Sequence, residues 1–437
     1  VRRAATTQEM DSNLDILLDR IAKLPITYVG NKKRLLNPIH TFLRDNNVEF
    51  NSVLDAFAGS GVVSLMFSCM RKKVVANDAL SLAALSCVFL LEGRRLPLSP
   101  QEVRSLVALN ANLNESLLDK KSEIFLPEEI NFLKSFRRNL AEASYSGNML
   151  YTGKSTHGDN LIRICEDMPM VDTLDKHKAA FAMHAMCTNM LSTCFRGGRC
   201  FKDQVFSSVA KRMELADQTP KELFLDSQGE ESLDNSGRAG TNNTVLHKAR
   251  AFLGGMTPAT LELLVSIERN HPDPDCQVYN CDVIDLLTSG LSTDLIYLDP
   301  PYGGLWSNYA ISYGVCEEFI HGKPLQTMDH VSGAMSRFSP KGNYVAASEQ
   351  SEAKENYRRN FDNLLDLCTP FPVWLISFNG NSFSTINEIV ERIRRFRSNV
   401  IFQNIDGYSY KCRKALRTRR GAKASYKESE FLILARK

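Results

Sequence analysis

Residues 299–302, Asp299-Pro300-Pro301-Tyr302, set an acid, two prolines and an aromatic directly after the apolar run Leu295-Ile296-Tyr297-Leu298. Each proline lacks an N–H and fixes φ at roughly −65°, and the residue before it is held extended, so neither a strand nor a helix can continue. The product is a stiff loop with a carboxylate, bare carbonyls and an aromatic face. A plain turn would read the same way. Read chemically, it is a clamp for a planar exocyclic amine. Asp299 and the Pro300 carbonyl can each accept one of the amine's two N–H groups, and Tyr302 can stack on its ring. Pulling the amine toward tetrahedral geometry would expose its lone pair for attack.

A second cluster lies far upstream. Asp55-Ala56-Phe57-Ala58-Gly59-Ser60-Gly61 falls where a strand-like run meets a helical one. Glycines there permit close approach of a ligand to the backbone, and the helix start supplies unpaired N–H donors. No Gly-Lys-Ser/Thr follows, and position 64 is Ser64 rather than glycine, so neither a nucleotide phosphate loop nor the dinucleotide fingerprint is met. An acid ahead of the glycines disfavours pyrophosphate and favours a cation or a hydroxyl. Asp78 ends the next strand-like run, 23 residues on. An acid at that place in nucleotide-binding sheets takes ribose hydroxyls, although a helix cap would also use it. Together Asp55 and Asp78 favour a nucleoside-containing ligand with net positive charge.

The elements that must position these residues follow from hydrophobic periodicity. Residues 12–23 and a stretch ending near Arg44 read as amphipathic helices. Ser52 to Phe57 and Lys73 to Asp78 read as strands, and 62–70 and 81–91 as helices. This β-α-β-α succession with short loops marks a doubly wound, parallel α/β sheet. From 100 to 275 the chain is mostly helical in pattern (101–120, 127–145, 172–193, 244–270), with a polar excursion over 217–243. Strand patterns resume at 278–282, 295–298, 373–378 and 430–435, and helices are expected over 353–366 and 377–396. The organisation is therefore one α/β domain, 24–99 and 276–437, interrupted by a helical insertion over 100–275.

Composition agrees. The chain has 437 residues, 43% hydrophobic and 24% charged, enough for a sizeable core. No run of about eighteen apolar residues points to a membrane span, and the segment after Val1 has no apolar signal core, so a cytoplasmic location is expected. The 11 cysteines form no Cys-x-x-Cys pair, so reduced thiols are expected and a metal site is not. The histidines are dispersed, and His321 and His330 read as surface residues. Net charge is +3, but residues 411–437 carry ten Lys/Arg against two Asp/Glu, net +8, which leaves −5 on the rest. A basic tail segment on an acidic body suits contact with a polyanion.

Tyr28 to Lys32 ahead of Leu35-Leu36, then Asp55-x-Phe57-x-Gly59-x-Gly61, Asp78 and Asp299-Pro300-Pro301-Tyr302 resemble, in that order, motifs X, I, II and IV of alpha-group DNA adenine-N6 methyltransferases. This group includes the Dam-type and many restriction–modification enzymes. The resemblance covers about 24–95 and 276–437. It implies a Rossmann-like methyltransferase sheet with helices on both faces, S-adenosylmethionine as cofactor, double-stranded DNA as substrate and a monomer. The insertion would be the target-recognition region. Tyr28, Gly30 and Lys32 would hold the methionine end of the cofactor, with Lys32 facing its carboxylate. Asp55, Phe57, Gly59 and Gly61 would line the sulfonium region, Asp78 the ribose and Asp282 the adenine ring. Asp299, Pro300, Pro301 and Tyr302 would hold a target adenine flipped out of the duplex, and Ser377-Phe378-Asn379 would line that pocket. Tyr28 stands where Dam-type enzymes often have Trp, and Asn31 where they often have Gly. Methylation of RNA adenine or of cytosine N4 in DNA, and an inactive nucleic-acid-binding protein on the same fold, are the alternatives. Whether a cognate restriction enzyme accompanies the chain is left open.

Within the insertion, Cys194-Phe195-Arg196-Gly197-Gly198-Arg199-Cys200-Phe201-Lys202 alternates basic and aromatic residues around a Gly-Gly bend. Given the resemblance, Arg196, Arg199 and Lys202 are expected to reach a DNA groove or its phosphates. Lys211 and Arg212 would add backbone contacts. Gly407 to Arg420 is the second candidate, with Arg417, Arg419 and Arg420 expected on phosphates. Charge reversal at Arg417, Arg419 and Arg420 should weaken DNA binding and flatten its salt dependence, by about 0.9 in log–log slope per lost contact. Titrating DNA at several salt concentrations checks this.

Overall fold

In the computed structural model the described residues are 7–24, 28, 30–92, 98, 102, 105–110, 125, 127–143, 150–155, 158–162, 176–194, 276–301, 309–322, 324, 347–379, 384–405 and 430–437. The helices are α1 (Thr7–Ala22), α2 (Leu36–Asp45), α3 (Val62–Cys69), α4 (Ser81–Cys87), α5 (Pro127–Ala143), α6 (Lys176–Cys194), α7 (Val283–Thr288), α8 (Tyr309–His321), α9 (Ala347–Leu367) and α10 (Ile386–Arg394). A short 3₁₀ turn spans Lys33–Leu35, and a π turn, Val88–Glu92, extends α4. The strands are β1 (Ser52–Asp55), β2 (Lys73–Asn77), β3 (Leu150–Ser155), β4 (Gly158–Ile162), β5 (Cys276–Tyr279), β6 (Leu295–Leu298), β7 (Val373–Asn379), β8 (Asn399–Ile405) and β9 (Glu430–Arg436).

Among the described residues, seven strands form one sheet in the order β5-β2-β1-β6-β7-β9-β8. β5, β2, β1, β6 and β7 run parallel, while β9 is antiparallel to both β7 and β8. The sheet is therefore mixed at one side, not wholly parallel as the leading β-α-β-α pattern suggests. The chain leaves β1 toward β2 and β5, then returns to the other flank of β1 with β6 and β7. This reversal opens a crevice between the carboxyl ends of β1 and β6, where ligands bind such sheets.

The sheet is buried on both faces. Val53, Val74, Leu295, Tyr297, Leu375, Leu432 and Leu434 pack on one face against α1, α2, α3, α4, α6 and α8. Leu54, Ile296, Leu298, Trp374, Ile376, Phe378 and Ile433 pack on the other against α7, α9 and α10. Burial on both sides explains why these strands read as continuous apolar runs instead of alternating ones. Because side chains alternate along a strand, Asp55, Asp299, Ser377, Asn379 and Glu430 fall on the face of the first cluster.

Several expectations shift. Helix α10 starts at Ile386, not 377, because Val373–Asn379 is a central strand. A capping box between Thr385 and Glu388 then sets the helix start. The pattern over 278–282 resolves into β5 ending at Tyr279 and Asp282 as the N-cap of α7. The β3–β4 hairpin interrupts the insertion, β8 forms the sheet edge, and α8 follows the proline loop; none of these was expected. The helical patterns of 101–120 and 244–270 and the polar stretch 217–243 lie wholly or largely outside the described residues.

The edge of the sheet remote from the crevice is pinned by polar contacts. Asp294 Oδ2 accepts from the N–H groups of Asn51 and Ser52 at 2.8 and 2.9 Å, fixing β6 beside β1. Buried Arg397 donates to the carbonyls of Thr369 and Phe371 at 2.9 and 2.8 Å, and its guanidinium lies 4.0 Å from the Trp374 ring centroid. Arg397→Met leaves those carbonyls unpaired and removes the cation–π contact. It should lower the unfolding free energy by about 3 kcal/mol, measured by urea denaturation.

Candidate active site

The crevice is an open cavity, with about 880 Å³ of atom-free space when the solvent at its mouth is included. Loop 28–32, the glycine turn, the ends of β1, β2 and β6, and the start of α7 enclose it. Tyr28, Gly30, Lys32, Asp55, Phe57, Gly59, Asp78, Asp282, Asp299 and Pro301 all line the wall. Two motifs more than two hundred residues apart in sequence thus share one pocket, because β1 and β6 are paired with Asp55 directly beside Tyr297.

The turn after β1 is shaped for close approach. Gly59 and Gly61 have φ of +53° and +75°, in the left-handed region that penalises side chains. A Cβ on Gly59 would sit 3.1 Å from the Tyr28 ring, and one on Gly61 the same distance from Cys87 Sγ and Leu90. Tyr28 is held in turn by stacking on Tyr313, with centroids 4.8 Å apart and planes 7° from parallel. Tyr309, at the cavity wall, completes the stack.

The acids occupy distinct environments. Asp55 is fully buried; Oδ2 accepts from Ser64 Oγ at 2.6 Å, and Oδ1 has no hydrogen-bond partner among the described residues. Burial pushes its carboxyl up to about 7, against the pull of Ser64, and the nearby charges of Asp299 and Asp78 add to the rise. Asp78 accepts from the N–H groups of Leu80 and Gly59 at 2.9 and 2.8 Å, tying the second strand to the glycine turn. Burial nevertheless raises it to about 6. Asp282 Oδ1 caps α7 through the Ile284 N–H. A buried carboxylate bonded to Ser64, the side-chain-free Gly59 and several acids around one cavity fit a nucleoside ligand that carries a sulfonium charge.

Lys32 lines the cavity and is held by two acids. Its ammonium, 4% exposed, lies 2.9 Å from Asp299 Oδ2 and 3.4 Å from Glu430 Oε1, and donates to the Gly30 carbonyl at 3.2 Å. It thus pairs with the acid of the proline loop, a contact that the sequence reading did not include. Glu430, at the head of β9, is fully buried and accepts from Asn379 Nδ2 at 2.9 Å. Sequence reading took this segment only as a terminal strand. An acid at the start of the apolar run Phe431-Leu432-Ile433-Leu434 was the available signal.

Behind the cavity lies a polar layer that sequence reading also missed. Asn77 bridges the carbonyls of Ala56 and Cys281. Glu317 on α8 accepts from the N–H groups of Ser81 and Leu82, and burial lifts its carboxyl to about 7. His321 proves not to be a surface residue: Nε2 is 2.7 Å from Ser81 Oγ and the side chain is 12% exposed. His330, Tyr302, Arg196, Arg199, Lys202, Lys211, Arg212, Arg417, Arg419 and Arg420 lie outside the described residues. Among the described residues, no cluster of three or more His, Cys, Asp or Glu could hold a metal ion, and no helix is long and apolar enough to cross a membrane.

Comparison with known proteins bears out the resemblance. Residues 28–84 match the family of D12 class N6 adenine-specific DNA methyltransferases. A type II methyltransferase, M2.HphI of Haemophilus parahaemolyticus, is 30% identical over 119 residues, 27% of this chain. The chain spans about 30% of the length of that relative. The matched family segment contains loop 28–32, the glycine turn and Asp78, and the mixed α/β sheet around it is consistent with a Rossmann-like methyltransferase fold.

The raised carboxyls make ligand binding and stability pH-dependent in opposite senses. A cation favours ionised Asp55 and Asp78, so affinity for S-adenosylmethionine should rise about tenfold from pH 5.5 to 8, roughly one unit of linkage. The uncharged thioether S-adenosylhomocysteine should gain less; calorimetry at each pH checks both. Without ligand, the folded state holds protons that the unfolded state releases between its ordinary carboxyl range and about 7. Stability is then present at low pH and declines as pH climbs through that window, which melting temperatures measure.

Proposed function

We propose that this chain is an S-adenosylmethionine-dependent methyltransferase that modifies the N6 amine of an adenine in a specific DNA sequence. The observation that carries the reading is the shared cavity: Asp299 and Pro301 stand across the β1–β6 crevice from Asp55, Gly59 and Asp78. A methyl donor and an amine clamp can therefore meet at one sheet edge. The match to the N6-adenine family over 28–84 supports the cofactor half of this arrangement. Of the relative, the comparison says only that it is a type II methyltransferase. A restriction–modification setting is thus part of the proposal.

Bound S-adenosylmethionine supplies an electrophilic methyl group on a sulfonium. Tyr28, Gly30, Asp55, Phe57, Gly59, Gly61, Asp78 and Asp282 would hold it, the acids offsetting its charge and Asp78 taking ribose hydroxyls. Asp299 and the Pro300 carbonyl would accept the two N–H groups of the target amine, Pro301 would keep the loop rigid, and Tyr302 would stack on the flipped base. The leaving group is neutral, so catalysis rests on positioning and placed charge. Asp299 need not be a strong base, because the methylated amine is acidic enough to lose its proton afterwards. Arg196, Arg199, Lys202 and the basic segment around Arg417, Arg419 and Arg420 would grip the duplex, and insertion 100–275 would select the site.

Asp299→Ala should abolish methyl transfer, a fall of at least about a thousandfold, while cofactor binding persists; Glu430 remains to pair Lys32. Labelled methyl transfer to DNA and to RNA, followed by sequencing of modified bases, checks the substrate. Turnover near wild type in Asp299→Ala would sink the mechanism. Labelling of RNA, or of cytosine, would replace adenine in DNA as the target.

A further inference from the structure

We propose that Glu430 is a positioning residue for Asp299: acting through Lys32, it fixes where the Asp299 carboxylate points and preserves its charge for the substrate amine. The inference rests on the methyltransferase reading above and adds a residue from the far end of the chain to it.

The geometry is that of a shared cation. Asp299 Oδ2, Glu430 Oε1 and the Gly30 carbonyl oxygen lie 2.9, 3.4 and 3.2 Å from Lys32 Nζ. An ammonium has three donors to direct at such acceptors. Glu430 is itself fixed, its Oε2 bonded to Asn379, the cross-strand partner on β7. A Lys32–Asp299 pair alone would be neutral, leaving Asp299 a weak acceptor toward anything else. With Glu430 the trio carries one net negative charge, so Lys32 holds Asp299 without cancelling it. Packing gives no reason for an acid there: a fully buried glutamate at the head of an apolar strand costs more than an aliphatic residue would. Burial raises the Glu430 carboxyl, and the Asp299 charge adds to the rise while Lys32 opposes it, so the three groups are electrostatically linked. Among the described residues, Asp55, Asp78 and the Tyr297 hydroxyl, itself bonded to Ser377 Oγ, also stand in the field of Asp299.

Glu430→Gln keeps shape and removes the charge. The expected result is a kcat about 10- to 100-fold lower with S-adenosylmethionine affinity nearly unchanged. Glu430→Asp retains the charge and should restore most of kcat. If Glu430→Gln does not fold, Asn379→Ala frees Oε2 with every charge in place and should lower kcat at a nearly unchanged melting temperature. The inference is overturned by wild-type kcat in whichever of these variants folds. It is also overturned if Glu430→Gln and Glu430→Asp lose activity, cofactor affinity and melting temperature together. A wild-type protein that binds S-adenosylmethionine but methylates no nucleic acid would instead fault the functional reading, a result separate from either of these.

Discussion

One buried ammonium holds together the three parts of the chain that meet at the crevice. Lys32 comes from the loop before α2, Asp299 from the loop after β6, and Glu430 from the first position of β9. Removing such charges from water is costly, and only close pairing with further hydrogen bonds repays it. The arrangement therefore constrains everything around it. Loop 28–32 must lie over the sheet edge, the proline loop must present its carboxylate sideways, and β9 must enter the sheet beside β7.

The surrounding acids extend the same constraint. Fully buried Asp55 and partly buried Asp78 sit near Asp299, and each is pushed toward its neutral form by desolvation and by the Asp299 charge. Inside a poorly polarisable site like charges repel more strongly than in water. A cavity walled this way is held in a state that a cation improves. This links the packing of the glycine turn, where Gly59 passes under the Tyr28 ring, to the preference for a positively charged nucleoside. Affinity and stability are then governed by the same carboxyl groups, with opposite dependence on pH.

Much of this was legible from local pattern. The proline loop, the glycine turn and the acid at the end of β2 are each defined by a few adjacent residues whose backbone restrictions do not depend on the rest of the fold. The strands that carry them are apolar runs, visible because both faces of the sheet are covered. Other features left no local trace. β8 is exposed along nearly its whole length and the β3–β4 hairpin is rich in polar residues, so no buried apolar run marks them, and α8 comes soon after the proline loop. His321 looks like any dispersed histidine until α8 packs against α4 and brings it to Ser81. The role assigned to Lys32 by resemblance could not anticipate Glu430, nearly four hundred residues away in sequence.

The sequence by itself determined the chemistry available: an amine clamp, a close-approach turn, two acids suited to a charged nucleoside, and an α/β frame to carry them. Those properties reside in residue types and in backbone restrictions acting over a few positions. Tertiary structure alone decided which charge meets which. Strand order sets β1 beside β6 and β7 beside β9, and the two-residue period of strands turns Asp55, Asp299, Asn379 and Glu430 to one face. Lys32 therefore joins the clamp, because electrostatic pairing depends on distances of a few ångströms that only the assembled sheet supplies.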